Sequence, residues 1–132
     1  MTARYYFSIR LLIEHPTLNE NDISRLLEME PTYSWNFFDV NKNTTMWSAV
    51  SWTKNSRYYF DEISEVIDWL KTKTFFLSHF NQNKLAKISV IAQLNGGMNI
   101  GDLLKPETMK IATDIGVFIG VEVFPQLECP TI

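Results

Sequence analysis

The stretch RYYFSIRLLIE, residues 4–14, decides the fold class, because it carries a large apolar side chain at every odd position from Tyr5 to Ile13. The even positions are more polar and include Arg10. Side chains of a β-strand point alternately to the two faces of its sheet. This period of two therefore predicts a strand with one face on a hydrophobic core, and Pro16 ends it.

Apolar residues at helical spacing predict three helices in the rest of the chain. The longest, Tyr58–Leu70, has an apolar stripe at the i, i+3, i+4 and i+7 positions, formed by Ile63, Val66, Ile67 and Leu70. A helical or turn-like extension rich in phenylalanine continues through Phe80. The two shorter predicted helices are Asn19–Met29 and Pro106–Ile115, and Gly116 ends the latter.

Residues that favour strands predict four further strands, two of them in a hairpin. Residues 33–52 hold two β-prone runs around the Asn-rich residues 41–43, which we interpret as a hairpin. A long loop before a single strand is the alternative for this region. Residues 86–94 alternate like the first strand, and residues 117–123 are rich in branched apolar side chains.

The order of these elements indicates the architecture. The first six spell βαββαβ, the ferredoxin-like unit, and one further helix and strand follow. Polar residues on one face of the strands indicate a sheet covered by helices on the other face only. We therefore predict a two-layer α+β domain over residues 1–125, with helices on one face of a four- to five-stranded mixed or antiparallel sheet. Residues 126–132 are predicted to form a flexible tail.

Composition limits the classes of protein to which the chain can belong. Its 132 residues suffice for one domain with its own core. Hydrophobic residues make up 45% and charged residues 20%, which excludes a wholly disordered protein. The net charge of −3 has the wrong sign for electrostatic binding of nucleic acid. With no signal-peptide pattern and no apolar stretch long enough for a bilayer, we expect a cytoplasmic protein that binds neither nucleic acid nor membranes.

The sequence contains no pattern typical of a catalytic, metal or cofactor site. Nucleophile-elbow, zinc-protease and phosphate-loop motifs are all missing from it. His15, His79 and Cys129 are too few ligands for a structural zinc site. The glycine-containing segment 95–101 has no lysine and is typical of a turn. We therefore expect a protein that is not an enzyme, has no catalytic or metal-binding residues, and needs no cofactor.

Two groups of residues are candidates for binding a protein partner. The first is an aromatic segment with an aspartate and a later tryptophan, and it consists of Tyr33, Trp35, Phe37, Phe38, Asp39 and Trp47. Aromatic side chains supply much of the binding energy at protein interfaces. The alternative is that these side chains fill the core beside the predicted hairpin.

The second group is acidic and lies on the predicted helix over residues 58–70. It consists of Asp61, Glu62, Glu65 and Asp68. Like charges one and two turns apart repel each other by a few tenths of a kcal/mol per pair, and together they would attract a basic partner. The alternative is an ordinary solvated helix face, with acidic residues favoured near the helix N-terminus.

Over residues 5–124 the chain resembles the bacterial family known as domain of unknown function 4279. The resemblance lies in the N-terminal strand, in residues 22–27 (DISRLL) followed by Pro31-Thr32, in the strand that bears Trp47, and in residues 114–117 (DIGV) leading into 122–124. It implies no catalytic residues. Proteins of this kind are similar to small immunity proteins found beside bacterial toxin genes, so the resemblance implies binding and neutralisation of a cognate toxin. An acidic inhibitor would suit a basic nuclease toxin.

A second class of function stays open at this level. The open face of the predicted sheet could bind a small molecule, which would make the protein a ligand-binding or regulatory domain. The sequence also leaves the oligomeric state undetermined.

Overall fold

The structure, a computed structural model, describes residues 5–130. Its elements are, in chain order, β1 (Tyr6–His15), α1 (Glu20–Leu27), β2 (Tyr33–Trp35), β3 (Thr45–Lys54), α2 (Tyr59–Thr72), α3 (Thr74–Asn81), β4 (Lys87–Asn95), α4 (Pro106–Ile115) and β5 (Val117–Phe124).

The five strands form one mixed sheet in the order β2-β3-β1-β4-β5. The pairs β2–β3, β3–β1 and β1–β4 are antiparallel. β5 follows the crossover through α4 and runs parallel to β4. As a result β1 and β2 are parallel with β3 between them, and β3 and β4 are parallel with β1 between them. This is the split βαβ arrangement, so the predicted α+β fold with an added helix and strand is confirmed.

The predicted hairpin over residues 33–52 is present, but its connection is longer than expected. β2 has three residues, and its last pair joins Trp35 to Met46. Residues 36–44 form the loop between the two strands, so Phe37–Phe38 lie in this loop and not in a strand. β2 ends here because side chains bond to the backbone in place of a strand partner: Asp39 accepts from the Asn36 N–H and Asn36 accepts from the Glu20 N–H, both at 2.7 Å.

α1 is a two-turn helix whose ends are both set locally. The Asn19 side chain accepts a hydrogen bond from the Asp22 N–H at 2.9 Å, and the Asp22 carboxylate accepts one from the Asn19 N–H at 3.4 Å. This reciprocal capping box fixes the start of the helix. The helix ends at Leu27, two residues before the predicted Met29, because Glu28 adopts the left-handed conformation with φ of 57°.

The predicted extension after the long helix is a helix of its own. Lys73, with φ of −90° and ψ of 60°, interrupts the helical backbone between α2 and α3. Phe76 and Phe80 of α3 turn into the core, with ring centroids 4.5 Å apart.

All four helices cover one face of the sheet, and the hydrophobic core lies between the two layers. The odd-numbered β1 residues from Phe7 to Ile13 are at most 4% exposed and face the helices. Opposite them on α2 are three fully buried side chains, Ile63, Ile67 and Leu70. The other face of the sheet, called here the open sheet face, carries the even-numbered β1 residues and no helix.

The segment after β5 folds back over one end of the open sheet face. The Leu127 carbonyl accepts hydrogen bonds from the Tyr6 hydroxyl and from the Asn95 side-chain amide. The predicted flexible tail, residues 126–132, is therefore held by two hydrogen bonds at its start. Residues 131–132 lie outside the described part of the chain.

Candidate partner-binding groove

A largely apolar groove of about 250 Å³ opens on the helix side of the sheet. The sheet supplies its floor, α2 supplies one wall, and the segment after α1 supplies the other. Its lining residues are Ile9, Leu11, Met29, Ala49, Val50, Ser51, Glu62, Glu65, Val66 and Trp69. We call this feature the α2 groove.

The groove exists because the helix layer leaves one end of β3 uncovered. α1 stops after two turns, at Leu27, and covers only the end of β3 that carries Trp47. Ala49 and Ser51 follow on the same face of β3, and both have small side chains. Met29, the nearest apolar side chain after α1, is 43% exposed and does not close the gap.

The wall of the groove is one edge of the amphipathic α2 helix. Glu62, Val66 and Trp69 lie at i, i+4 and i+7 on this edge, and Glu65 lies next to them. The helical spacing predicts Val66 in the core stripe and does not single out Trp69. The missed signal is the position of Trp69, one turn beyond Val66 at the border between the apolar stripe and the acidic face.

The two carboxylates of the groove stand close together at its rim. Burial is the main cause that raises the pKa of Glu62 above its ordinary value. The charge of Glu65, a hydrogen bond with Glu65, and the charge of Asp61 raise the pKa of Glu62 further. Within the described residues neither Glu62 nor Glu65 forms an ion pair. The rim therefore joins an apolar lining to two carboxylates that no cation of the described residues pairs with.

The other two acidic residues predicted as contacts face away from the groove. Asp61 lies 4.0 Å from the Lys105 ammonium group, on the α4 side of the helix. Asp68 is exposed on the outer face of α2. Of the four acidic residues, Glu62 and Glu65 therefore line the groove, whereas Asp61 and Asp68 face away from it.

The predicted aromatic segment does not join the α2 groove. Tyr33 and Trp35 lie on the open sheet face, across the sheet from the groove. The Arg10 guanidinium sits 5.4 Å from the Tyr33 ring centroid, and the Lys42 ammonium sits 3.8 Å from that of Trp35. These aromatic rings therefore already stack against cations of the same chain.

The loop of the hairpin holds the next three residues of the predicted aromatic group. Phe37 and Phe38 pack edge to face, with centroids 5.2 Å apart, and Phe38 is 64% exposed. The Asp39 carboxylate accepts a hydrogen bond from the Asn36 N–H at 2.7 Å. This aspartate therefore closes the loop, whereas Phe38 is presented to solvent.

Trp47, the last member of the predicted aromatic group, is fully buried in the core. Its indole N–H donates to the Ser24 hydroxyl at 3.0 Å and so links β3 to α1. The pairing of Ile13 with Trp47 places both side chains on the helix side of the sheet. Trp47 is a core residue in this fold, and we leave it out of the contact surface.

On the open sheet face the polar side chains mostly bind one another. The Arg10 Nε donates to the Ser48 hydroxyl at 2.9 Å, and an Arg10 Nη lies 3.7 Å from the Glu122 carboxylate. The Ser8 hydroxyl donates to Gln93 at 2.8 Å. One buried oxygen of Glu122 has no hydrogen-bond partner among the described residues. These internal pairs engage Ser8, Gln93, Arg10 and Ser48 with one another across the strands.

The two histidines and the glycine-containing turn all contact other residues of the fold. The Nδ1 of His15 accepts hydrogen bonds from the N–H groups of Thr17 and Leu18 at 3.1 and 3.0 Å. His79 is exposed and packs on Phe75. The Gly96 N–H donates to the Phe124 carbonyl at 2.7 Å, which ties the glycine turn to the end of β5.

The described part of the chain contains neither a group of metal ligands nor a membrane-spanning helix. Between residues 5 and 130 no three side chains of the His, Cys, Asp and Glu types come together in a way that could hold a metal ion. No helix within the same residues combines the length and the apolar character that crossing a membrane requires.

The polar side chains that line the α2 groove are two carboxylates, Glu62 and Glu65, and the hydroxyl of Ser51. Comparison of the chain with protein-family models, with curated proteins and with solved structures found no match.

Proposed function

We propose that this protein acts by binding another protein, and that the α2 groove is its main contact site. The observation that carries the proposal is the pair Glu62 and Glu65 on the rim of an apolar groove, with no ion pair to any cation among residues 5–130. A cation from outside would stabilise the charged form of Glu62, which burial disfavours first and the charges of Glu65 and Asp61 disfavour further, as its raised pKa indicates.

The composition of the groove defines the kind of partner that fits. A lysine or arginine side chain would place its charged end at the two carboxylates and its aliphatic stem along Val66 and Trp69. An adjacent apolar side chain would cover Ile9, Leu11 and Ala49 on the floor. Such a partner is a basic protein surface with an apolar residue beside its cation.

The resemblance noted in the sequence makes a cognate bacterial toxin the first partner to test, and a basic nuclease suits the charge of the groove. Inhibition of this kind needs a complementary surface and no catalytic group. We infer that the protein would act in the cytoplasm, where an immunity protein meets its toxin.

The test is calorimetric titration of the protein against the purified product of the neighbouring toxin-like gene. We expect a dissociation constant below about 1 μM for the wild type, and at least a tenfold weaker one for the double substitution E62Q/E65Q. The double substitution D61N/D68N removes the same charge from the same helix on the solvent side. This matched control should change the affinity less than threefold.

Two results would overturn the proposal. One is the absence of binding at micromolar concentrations with a folded, active partner. The other is an equal loss of affinity in the groove variant and in the solvent-side variant, since the groove would then contribute only general negative charge.

A further inference from the structure

The outer edge of β5 is a second surface of the molecule, separate from the α2 groove. β5 is eight residues long and pairs with β4 on one side only. The opposite edge of the sheet is β2, which has three residues. Long edge strands with free backbone groups are normally covered or made unfavourable for pairing, because another strand can add to them.

The side chains of β5 do little to discourage such pairing. Phe118 is 59% exposed, Val121 is 45% exposed and Val123 is 63% exposed. The strand VFIGVEVF contains no lysine and no proline, and its one charged residue, Glu122, lies against Arg10. The Lys87 ammonium group lies 4.8 Å from the Phe118 ring centroid, on the neighbouring strand β4.

We propose that β5 pairs antiparallel with β5 of a second copy of the chain, so that two five-stranded sheets join into one of ten strands. A two-fold axis perpendicular to the sheet relates the copies and keeps both helix layers on the same side. Residues that pair across the two strands must then lie on the same face of the sheet. An even-numbered residue can therefore pair only with an even-numbered one, and an odd-numbered residue only with an odd-numbered one.

One register matches the chemistry of the strand. With the axis at Val121, this residue pairs with its own copy, and Ile119 pairs with Val123 of the partner subunit. On the open sheet face Phe118 then meets Phe124 of the partner subunit, which pairs two apolar rings. Glu122 falls opposite Gly120 of the partner subunit, so the two carboxylates do not oppose each other.

The area available fits a weak dimer. Eight residues of strand are about 26 Å long, and a sheet with one helix layer is about 20 Å deep. The copies would therefore bury at most about 1,000 Å² in total, which is the size of a weak or transient interface. The α2 groove lies over β1 and β3, away from this edge, so each copy in the dimer keeps its own groove open.

The first test measures molecular mass by sedimentation equilibrium from about 1 μM to about 500 μM protein. We expect a monomer–dimer equilibrium for the wild type, and at least tenfold weaker association for Val121→Lys, which brings two ammonium groups together at the axis. Val40→Lys is the matched control, because Val40 is 86% exposed in the hairpin loop, and it should associate like the wild type. A monomeric wild type at every concentration would overturn the proposal, as would equal weakening by both substitutions.

The second test reports the register and does not depend on the strength of association. Residues paired across antiparallel strands have Cα atoms about 4.5–5.5 Å apart, which a disulfide can span. In a chain with the free thiol removed by Cys129→Ser, Val121→Cys should form a covalent dimer on mild oxidation. Val123→Cys in the same background should not, because its copy would lie about four residues away, roughly 13 Å along the strand. Equal cross-linking of the two variants, or none with Val121→Cys, would contradict the proposed pairing.

Discussion

His15 shows how one buried residue can make stability depend on pH. Its Nδ1 accepts hydrogen bonds from two backbone N–H groups, so the ring must carry its proton on Nε2 alone. The ring packs edge to face on Phe80, with centroids 5.0 Å apart, and is 4% exposed. Burial lowers the pKa of His15 below its ordinary value.

A lowered histidine pKa means that the unfolded chain binds the proton more tightly than the folded one. The stability contributed by His15 is therefore fully present above pH 6.5 and is lost as pH falls from there through the folded pKa. We expect the free energy of unfolding of the wild type to fall relative to that of His15→Asn in this interval, by at most about 1.4 kcal/mol per pH unit. Urea denaturation at pH 7.5, 6.5, 5.5 and 4.5 measures the difference, and parallel curves would contradict this account.

The pKa shift of Glu62 makes the free energy of unfolding depend on pH in the opposite direction. Its raised pKa means that the folded chain holds the proton more tightly, so its contribution to stability is present below pH 4.5 and is lost as pH rises through the folded pKa. Glu62→Gln should therefore raise the free energy of unfolding at pH 7 by a few tenths of a kcal/mol, since solvent screens this rim position. The gain should disappear below pH 4. Asp68→Asn is the control in the same denaturation series, and a gain as large from that variant would remove the link to the groove.

At the scale of elements, the end of α1 shapes the α2 groove. Glu28 terminates the helix in the left-handed conformation, with φ of 57° and ψ of 44°. For an L-residue with a Cβ this conformation costs about 1–2 kcal/mol, and glycine avoids most of that cost. The Glu28 carboxylate also lies 3.8 Å from the Lys73 ammonium group, at an exposed position where an ion pair contributes little.

Glu28→Gly should therefore stabilise the protein by about 0.5–1 kcal/mol in urea denaturation. Glu28→Ala removes the same ion pair and keeps the Cβ, so it should show no such gain. If alanine and glycine stabilise equally, the effect would come from the charge and not from the backbone.

At the scale of the whole molecule, the groove is a place where the two layers do not meet. Ser51 lies on its floor and is exposed, beside Ala49 on the same face of β3. A larger apolar side chain here would fill space that no helix covers. The free energy of unfolding is therefore lower than it would be with the gap filled, and such a loss of stability is common at binding sites.

Ser51→Ile should raise the free energy of unfolding by about 0.5–1 kcal/mol, because it adds buried apolar area on a strand. The same change should weaken binding of the toxin-like partner at least tenfold, because it occupies the place of the partner's apolar side chain. Denaturation and calorimetry measure the two effects on one protein. A gain in stability with unchanged affinity would show that the partner binds elsewhere.

Much of the fold could be predicted from the sequence, because hydrophobic periodicity is a local property. The alternation over residues 4–14 and the stripe in the Tyr58–Leu70 helix predicted a strand and a helix that are both present, and the order of elements led to the split βαβ arrangement. Boundaries were less accurate. α1 ends at Leu27 because Glu28 adopts the left-handed backbone conformation. Glycine is the residue that usually adopts it, so a glutamate does not predict the end of a helix.

The sequence by itself determined the layered α+β architecture, the order of its elements apart from the separate helix α3, and the acidic face of α2. Only the tertiary structure decided that Glu62 and Glu65 share a groove while Asp61 and Asp68 do not, and that Trp47 lies in the core. The physical reason is that a groove is a gap between elements distant in sequence: its wall belongs to α2 and its floor to β1 and β3. Which residues border that gap depends on where α1 stops and how the strands register, and neither is encoded by the periodicity of any one segment.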